Sequence, residues 1–245
     1  MDLPLRTERP PRTREIAPVD RIRLKDGAPV ILHIDPPSFP AEQYRLLAVQ
    51  VEERLNPIGT WGYALTVTSP EEEAGKTLTS LNLGLTLARG DERKVLLIEG
   101  DLWRPQLHTY FEPERLDRPG LQQVLERRVE LAEAVVQVEG TSLDLLPAGV
   151  SGIAGDVMSG RRMSEILTEA RAAYEIVVID SPPMNLLASA RSLATRSDGV
   201  VLVVRAGQSH RKAIETTLSN LGPEKLLGIV LNGIKASSRG YRGYY

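Results

Sequence analysis

There is no cysteine anywhere in the 245 residues, which excludes a disulfide framework, a thiolate metal site and a cysteine nucleophile. The three histidines, His33, His108 and His210, are too scattered to suggest a zinc site. Aromatic residues make up only 4% of the chain, so a core has to be built from Leu, Val, Ile and Ala, a common recipe for buried parallel sheet. A net charge of −2 gives no overall attraction to nucleic acid or to an anionic membrane surface. The longest apolar runs are strand-sized, and the beginning carries Arg and Pro where a signal peptide needs an apolar stretch. The expectation is a cytoplasmic chain with no membrane span and no nucleic-acid partner.

What is present falls into three parts. Residues 1–40 hold eight of the 17 prolines among several arginines, with little apolar periodicity, and read as a disordered Pro/Arg-rich arm. Residues 41–235 read as one α/β domain. Residues 236–245 read as a flexible tail. Within the domain, Tyr44, Leu47, Ala48, Val51 and Leu55 repeat at helical spacing. Strand-like runs then follow at Tyr63 to Thr68, Val95 to Ile98, Leu143 to Leu146, Ile176 to Ile179, Val200 to Val204 and Leu227 to Leu231. Helical stretches separate them, near Thr77 to Ala88, Leu121 to Glu126, Met163 to Ala173, Leu186 to Thr195 and Arg211 to Leu221. Strands apolar on both faces and alternating with helices predict a mostly parallel central sheet flanked by helices on both faces. A ligand site then belongs at the carboxyl ends of the strands.

Thr68-Ser-Pro-Glu-Glu-Glu-Ala-Gly-Lys-Thr77 leaves a predicted strand and enters a predicted helix, the setting of a P-loop. Backbone N–H groups at the helix start would face phosphate oxygens, Lys76 would reach the β and γ phosphates, and the Thr77 hydroxyl would ligate Mg²⁺. The first glycine of the usual pattern is replaced by Pro70. Two further strand ends are acidic: Ile176 to Ile179 runs into Asp180, and Val95 to Ile98 runs into Glu99-Gly-Asp101. Carboxylates at such places can organise magnesium beside a lysine loop. Asn232 ends another strand, where it could hydrogen-bond an adenine edge or simply form a turn before Gly233.

Taken together these segments resemble the bacterial tyrosine kinases, cytoplasmic partners of polysaccharide co-polymerases. The markers are Glu42-Gln-Tyr-Arg45, the loop at Thr68 to Thr77, Leu96-Leu-Ile-Glu-Gly-Asp101 with Arg104-Pro105, Leu146-Pro-Ala-Gly149, Ile179-Asp-Ser-Pro-Pro183, Asp198 to Val204 and Gly228 to Asn232. The resemblance implies a P-loop fold that uses ATP and Mg²⁺. Glu73, Ala74, Gly75, Lys76, Thr77, Leu78 and Asn232 would line the nucleotide. Thr77, Asp101 and Asp180 would organise the metal, and Glu99 falls where the family keeps the aspartate thought to accept the tyrosine proton. Tyr241, Tyr244 and Tyr245 would be phosphoacceptors, although such a tail could also pack its rings on a neighbouring surface. Glu42 and Arg45 would serve self-association into a homo-oligomer or ring. A transmembrane co-polymerase and a tyrosine phosphatase would be partners, placing the chain peripherally at the inner membrane.

The sequence departs from the family pattern at Glu73-Ala74, where Gly-Glu is usual, and at Glu99, where an aspartate is usual. It departs again at Trp103 and Ala48, each replacing an arginine. The leading expectation is an autokinase that regulates capsule or exopolysaccharide synthesis and export. The alternatives are a catalytically weak nucleotide-binding regulator of the co-polymerase, and a partition or positioning ATPase of the same P-loop class. Positioning ATPases carry a lysine where Glu71 stands.

Overall fold

The computed structural model describes residues 16–18, 20–30, 38–55, 62–89, 93–112, 118–150, 158 and 160–234. Its centre is an eight-stranded sheet: β1 (Asp20–Ile22), β2 (Tyr63–Thr68), β3 (Val95–Glu99), β4 (Val136–Val138), β5 (Leu143–Leu146), β6 (Ile176–Asp180), β7 (Gly199–Arg205) and β8 (Leu226–Asn232). They lie in the order β1-β4-β5-β3-β6-β2-β7-β8. Every pairing is parallel except β4 with β5. Parallel neighbours need crossovers, and helices supply them: α1 (Phe39–Leu55), α2 (Lys76–Leu87), α3 (Leu121–Leu125), α4 (Leu131–Ala134), α5 (Arg161–Ala173), α6 (Ala188–Arg196) and α7 (Arg211–Leu221).

Alternation along each strand sends side chains into two cores. Leu65, Val67, Leu97, Val178, Val201 and Val203 join Leu47, Val51 and Leu55 of α1 and Leu81 and Leu85 of α2 on one face. Ala64, Leu96, Ile98, Val177 and Ile179 face Leu121, Met163, Ile166 and Leu193 on the other. Helix α5 buries Met163, Ile166, Leu167, Ala170 and Ala173, a single stripe at helical spacing. Each fully buried Leu, Ile or Val contributes about 1.5–3 kcal/mol against exposure, so this patterning is the main source of the fold's stability.

The strands read from the sequence sit where expected, but the N-terminal arm needs correction. Asp20–Ile22 is a strand paired in parallel with β4, Leu24 bridges Phe111, and Ile22, Leu24 and Val30 lie in the first core. Three apolar residues spread among prolines and arginines give no periodicity, yet each finds a pocket on an existing sheet edge. Residues 1–15 and 31–37 lie outside the described residues. Strand β4 and helix α4 also went unread, being only three and four residues long. No helix among the described residues is long and apolar enough to cross a membrane.

Candidate functional site

The carboxyl ends of β2, β3, β6, β7 and β8 meet at one edge of the sheet, and the predicted loop leaves β2 there. Its course is fixed by hydrogen bonds to the end of β6. The Met184 N–H donates to the Ser69 carbonyl at 2.8 Å and the Thr68 hydroxyl to the Pro182 carbonyl at 2.9 Å. Pro70 cannot supply the positive φ that a glycine would give, and the turn is made elsewhere: Glu73 has φ +57° and Gly75 has φ +92°. The first is an uncommon state for a side-chain-bearing residue. A Cβ on Gly75 would stand 2.0 Å from Asn232 Nδ2. Gly75 caps α2, and Lys76, its first residue, is 8% exposed, so an ammonium and the free N–H groups of a helix start share one place.

The three acids of the loop do not crowd that place. Glu71 turns away to accept from the His210 backbone N–H and to bond its Nδ1, both at 2.9 Å, contacts that hold its carboxyl below the ordinary range. Glu72 pairs with Arg104 in an exposed ion pair. Glu73 is exposed at the rim.

Residues Glu99 and Asp180 are register partners on adjacent strands, but their surroundings differ. Asp180 is fully buried. Its Oδ1 accepts from the Ser80 hydroxyl at 3.1 Å, while Oδ2 is buried and makes no hydrogen bond. Burial pushes its pKa up to about 7 against the opposing pull of the Lys76 ammonium and the Thr77 hydroxyl. A buried carboxylate oxygen left bare is costly unless a cation or its water takes it. No group of three or more His, Asp or Glu among the described residues is arranged to hold a metal alone. A cation at Asp180 would therefore draw further oxygens from a ligand, as magnesium does from phosphates, and the donor set of Thr77, Asp180 and Asp101 fits that ion. Ser80, one helical turn after Lys76 on α2, was not singled out in the sequence. The i, i+4 spacing from Lys76 was the signal that could have found it.

Glu99 is 2% exposed and both its oxygens are engaged: Oε1 accepts from the Leu107 N–H at 2.7 Å and Oε2 from the Ala148 N–H at 2.9 Å. Burial raises its pKa, and these backbone bonds oppose the rise. The Glu99 carboxylate, expected beside a reacting phenol, here ties β3 to the 3-10 turn at Leu107–Tyr110 and to the Leu146–Gly149 loop. Asp101 is the acid that reaches the open space. It accepts from the Arg104 N–H at 3.1 Å, and burial raises its pKa although Lys76 is close by.

Asn232 sits between the loop and its own turn. Its Nδ2 donates to the Ala74 carbonyl at 2.9 Å and its Oδ1 accepts from the Gly233 N–H at 2.8 Å. One end of the amide thus clasps the loop and the other closes the turn at Gly233, the second of the two roles open to it in the sequence.

A cavity of about 440 Å³ opens in front of these groups, lined by Glu72, Glu73, Gly75, Lys76, Thr77, Leu78, Asp101, Trp103, Arg104, Gln106, Tyr110, Pro182, Pro183, Leu186 and Leu187. The sequence profile described as an AAA domain matches residues 72–222, a nucleotide-binding class. The chain is 33% identical over 219 residues to tyrosine-protein kinase YwqD of Bacillus subtilis, covering 88% of this chain and 90% of that protein. It belongs to the bacterial tyrosine-kinase family. Tyrosine-protein kinase ptk of Acinetobacter johnsonii is 27% identical over 245 residues, and the chain spans about a third (33%) of that longer protein. The solved kinase domain of Escherichia coli tyrosine kinase ETK superimposes with a TM-score of 0.74 at 26% identity, over 87% of this chain and 84% of that one.

Two markers shared with the tyrosine kinases acquire structural jobs. The Leu146-Pro-Ala-Gly149 segment accepts the Leu121 and Gln122 N–H groups at the start of α3 and donates the Ala148 N–H to Glu99. On α1, Arg45 bonds Glu42 at 2.6 Å within the helix, and Ala48 is buried against the first core. The predicted phosphoacceptors Tyr241, Tyr244 and Tyr245 lie outside the described residues.

Proposed function

We propose that this chain is an ATP-dependent protein-tyrosine autokinase that modifies the tyrosines of its own C-terminal sequence and thereby regulates capsule or exopolysaccharide synthesis and export. The observation that carries this reading is that Lys76, Thr77 and Asp101 line one solvent-open cavity while the buried, bare Asp180 oxygen lies behind them, within reach of Lys76 and Thr77. Lys76 and the α2 N-terminus would hold the phosphates of ATP, and Thr77, Asp180 and Asp101 would hold magnesium. Bound magnesium supplies neutralisation of the charge between the β and γ phosphates. The phenol oxygen of the acceptor forms a bond to the γ-phosphorus as the bond from that phosphorus to the β,γ-bridging oxygen breaks and ADP leaves. Asp101, which lines the cavity beside Lys76 and Thr77, would take the phenolic proton.

The family's usual aspartate is a glutamate at position 99, and this supports the weak-regulator alternative only if Glu99 works on the acceptor. The two backbone N–H groups that hold the Glu99 carboxylate support a structural role for it instead. The positioning-ATPase reading needs a lysine where Glu71 is bound to His210. A transmembrane co-polymerase that brings the chain to the cytoplasmic side of the inner membrane, a phosphatase that resets the tail, and self-association through Glu42 and Arg45 belong to the same proposal.

The test is incubation of the purified chain with Mg-ATP and mapping of phosphotyrosine by mass spectrometry, beside Lys76→Met and a Tyr241, Tyr244, Tyr245 triple Phe variant. Modification of the parent alone is expected. Measured ATP binding with no phosphotyrosine, also when the cytoplasmic segment of a co-polymerase is added, would overturn the reading; steady hydrolysis stimulated by DNA or lipid would favour a positioning ATPase.

A further inference from the structure

The cavity is lined by two unlike sets of side chains. Lys76, Thr77 and Asp101 supply its polar lining; Trp103, Leu186, Pro182 and Pro183 supply an apolar one. Trp103 is 55% and Leu186 56% exposed, and both, on the loops after the adjacent strands β3 and β6, line the cavity that Lys76 and Thr77 also line, giving it an apolar shelf. A ring that must present a hydroxyl to a phosphate fits such a pair of linings: its face lies on the indole while its oxygen points to the polar groups.

The rim adds a second requirement. Glu73 is exposed, and its carboxylate has no ion-pair partner among the described residues. Arg205 reaches only its backbone carbonyl, at 3.4 Å. Glu72 beside it is shared with the exposed Arg104. Uncompensated acid at the mouth of a site for an anion opposes binding of that anion, and a cationic partner would cancel it.

The chain's own sequence carries such a partner twice. Arg239-Gly-Tyr241 and Arg242-Gly-Tyr244 are the same triplet, with an arginine two residues before a tyrosine. In an extended segment residues i and i+2 project to one side, about 7 Å apart along the chain. A tyrosine ring on the Trp103 shelf would thus place the preceding arginine at the same mouth, where Glu73 stands. From Asn232, which touches Ala74 of the loop, to Tyr241 is nine residues, a reach of roughly 30 Å when extended. The segment is therefore long enough to return to the cavity.

We infer that the cavity mouth is an acceptor subsite selective for arginine two residues before the tyrosine, and that its occupant is this chain's own Arg-Gly-Tyr sequence. Trp103 and Leu186 hold the phenol, and Glu73 takes the guanidinium. The inference rests on the kinase reading above and names its substrate class.

The test uses the full chain with Tyr241, Tyr244 and Tyr245 replaced by Phe, and a synthetic peptide of residues 236–245 as substrate, with and without Arg239→Ala and Arg242→Ala. Removing the arginines is expected to raise the peptide KM about three- to fivefold. Glu73→Gln should abolish that difference between peptides, a coupling that mere loosening of the loop would not produce. Trp103→Ala should raise KM for both peptides by about five- to tenfold, with the Kd for ATP changed less than about twofold. A loss of ATP affinity in Trp103→Ala instead would mean that the indole stacks on the nucleotide base and would overturn the subsite. Equal KM values for the two peptides would overturn the arginine selectivity.

A binding arm separates this inference from the reading beneath it. Trp61 and Trp103 are the two tryptophans, so Trp61→Phe leaves the shelf as the fluorescent reporter. Arginine-dependent quenching by the peptide without phosphate transfer would keep the subsite and sink the kinase reading. Transfer with no change in Trp103 fluorescence would do the reverse.

Discussion

Replacing Glu99 by Gln separates two jobs that the sequence had merged. The carboxylate is almost wholly buried and receives the Leu107 and Ala148 N–H groups at 2.7 and 2.9 Å. Gln keeps one oxygen and turns an NH₂ toward the other donor. One charge-assisted bond, about 1.5–3 kcal/mol, is lost, and a buried N–H is left unpaired at about 1–3 kcal/mol. Relief of the charge burial that raises the Glu99 pKa offsets part of this. The net expectation is about 2–4 kcal/mol of destabilisation. For a domain of this size each kcal/mol moves Tm by roughly 2–4 °C, so the melting temperature should fall by about 4–15 °C. If the carboxylate serves only as this tie, the phosphotyrosine rate at 20 °C, normalised to folded protein, should fall less than about tenfold. Removing a true general base costs about 10²–10⁴ in rate. An unchanged Tm with a hundredfold loss of transfer would refute the assignment of Glu99 as a tie and restore it as the base.

Three further perturbations test the loop and the core. Asn232→Ala should weaken ATP and GTP alike, by about three- to tenfold for one lost hydrogen bond, in calorimetric titrations; a selective loss for ATP would mean the amide reads adenine after all. Gly75→Ala should all but abolish nucleotide binding and lower stability by about 1–3 kcal/mol, since the new methyl meets Asn232 in a left-handed backbone, and an intact ATP Kd would contradict this. Asp144, buried and accepting the Tyr174 hydroxyl at 2.9 Å, has its pKa pushed up to about 6, chiefly by burial. The folded chain therefore holds a proton that the unfolded chain has lost between about pH 4 and 6, so this group's contribution falls as pH rises through that window. Asp144→Asn lacks the slope. Its stability relative to the parent should rise by up to about 2 kcal/mol between pH 4.5 and 7.5 in urea titrations, and a pH-independent difference would contradict the account.

Much of the architecture is local in origin and so could be read from the chain. The β2, β5 and α7 boundaries coincide with the apolar runs because each strand or helix carries its own period and its own breakers. The loop from Thr68 to Thr77 and the acids after β3 and β6 were visible for the same reason: a strand end, a turn and a helix start are contiguous in sequence. Residues 20–30 were not legible. Ile22, Leu24 and Val30 have no period of their own and are ordered only by a sheet edge and by Phe111, residues more than eighty positions away.

The sequence by itself determined that a lysine-bearing loop and two acidic strand ends would meet at one edge of a parallel sheet, because residue order and strand direction leave no other edge. It could not assign the acids their work. Glu99 and Asp101 are two residues apart on one strand end, and only the tertiary structure turned Glu99 onto the backbones of Leu107 and Ala148 while Asp101 faced the cavity. The same holds for Asn232, whose amide meets Ala74 from 158 residues away, and for Glu71, drawn aside by His210. Role at this site is set by which long-range backbone donor or acceptor reaches a side chain first, and that is decided by packing.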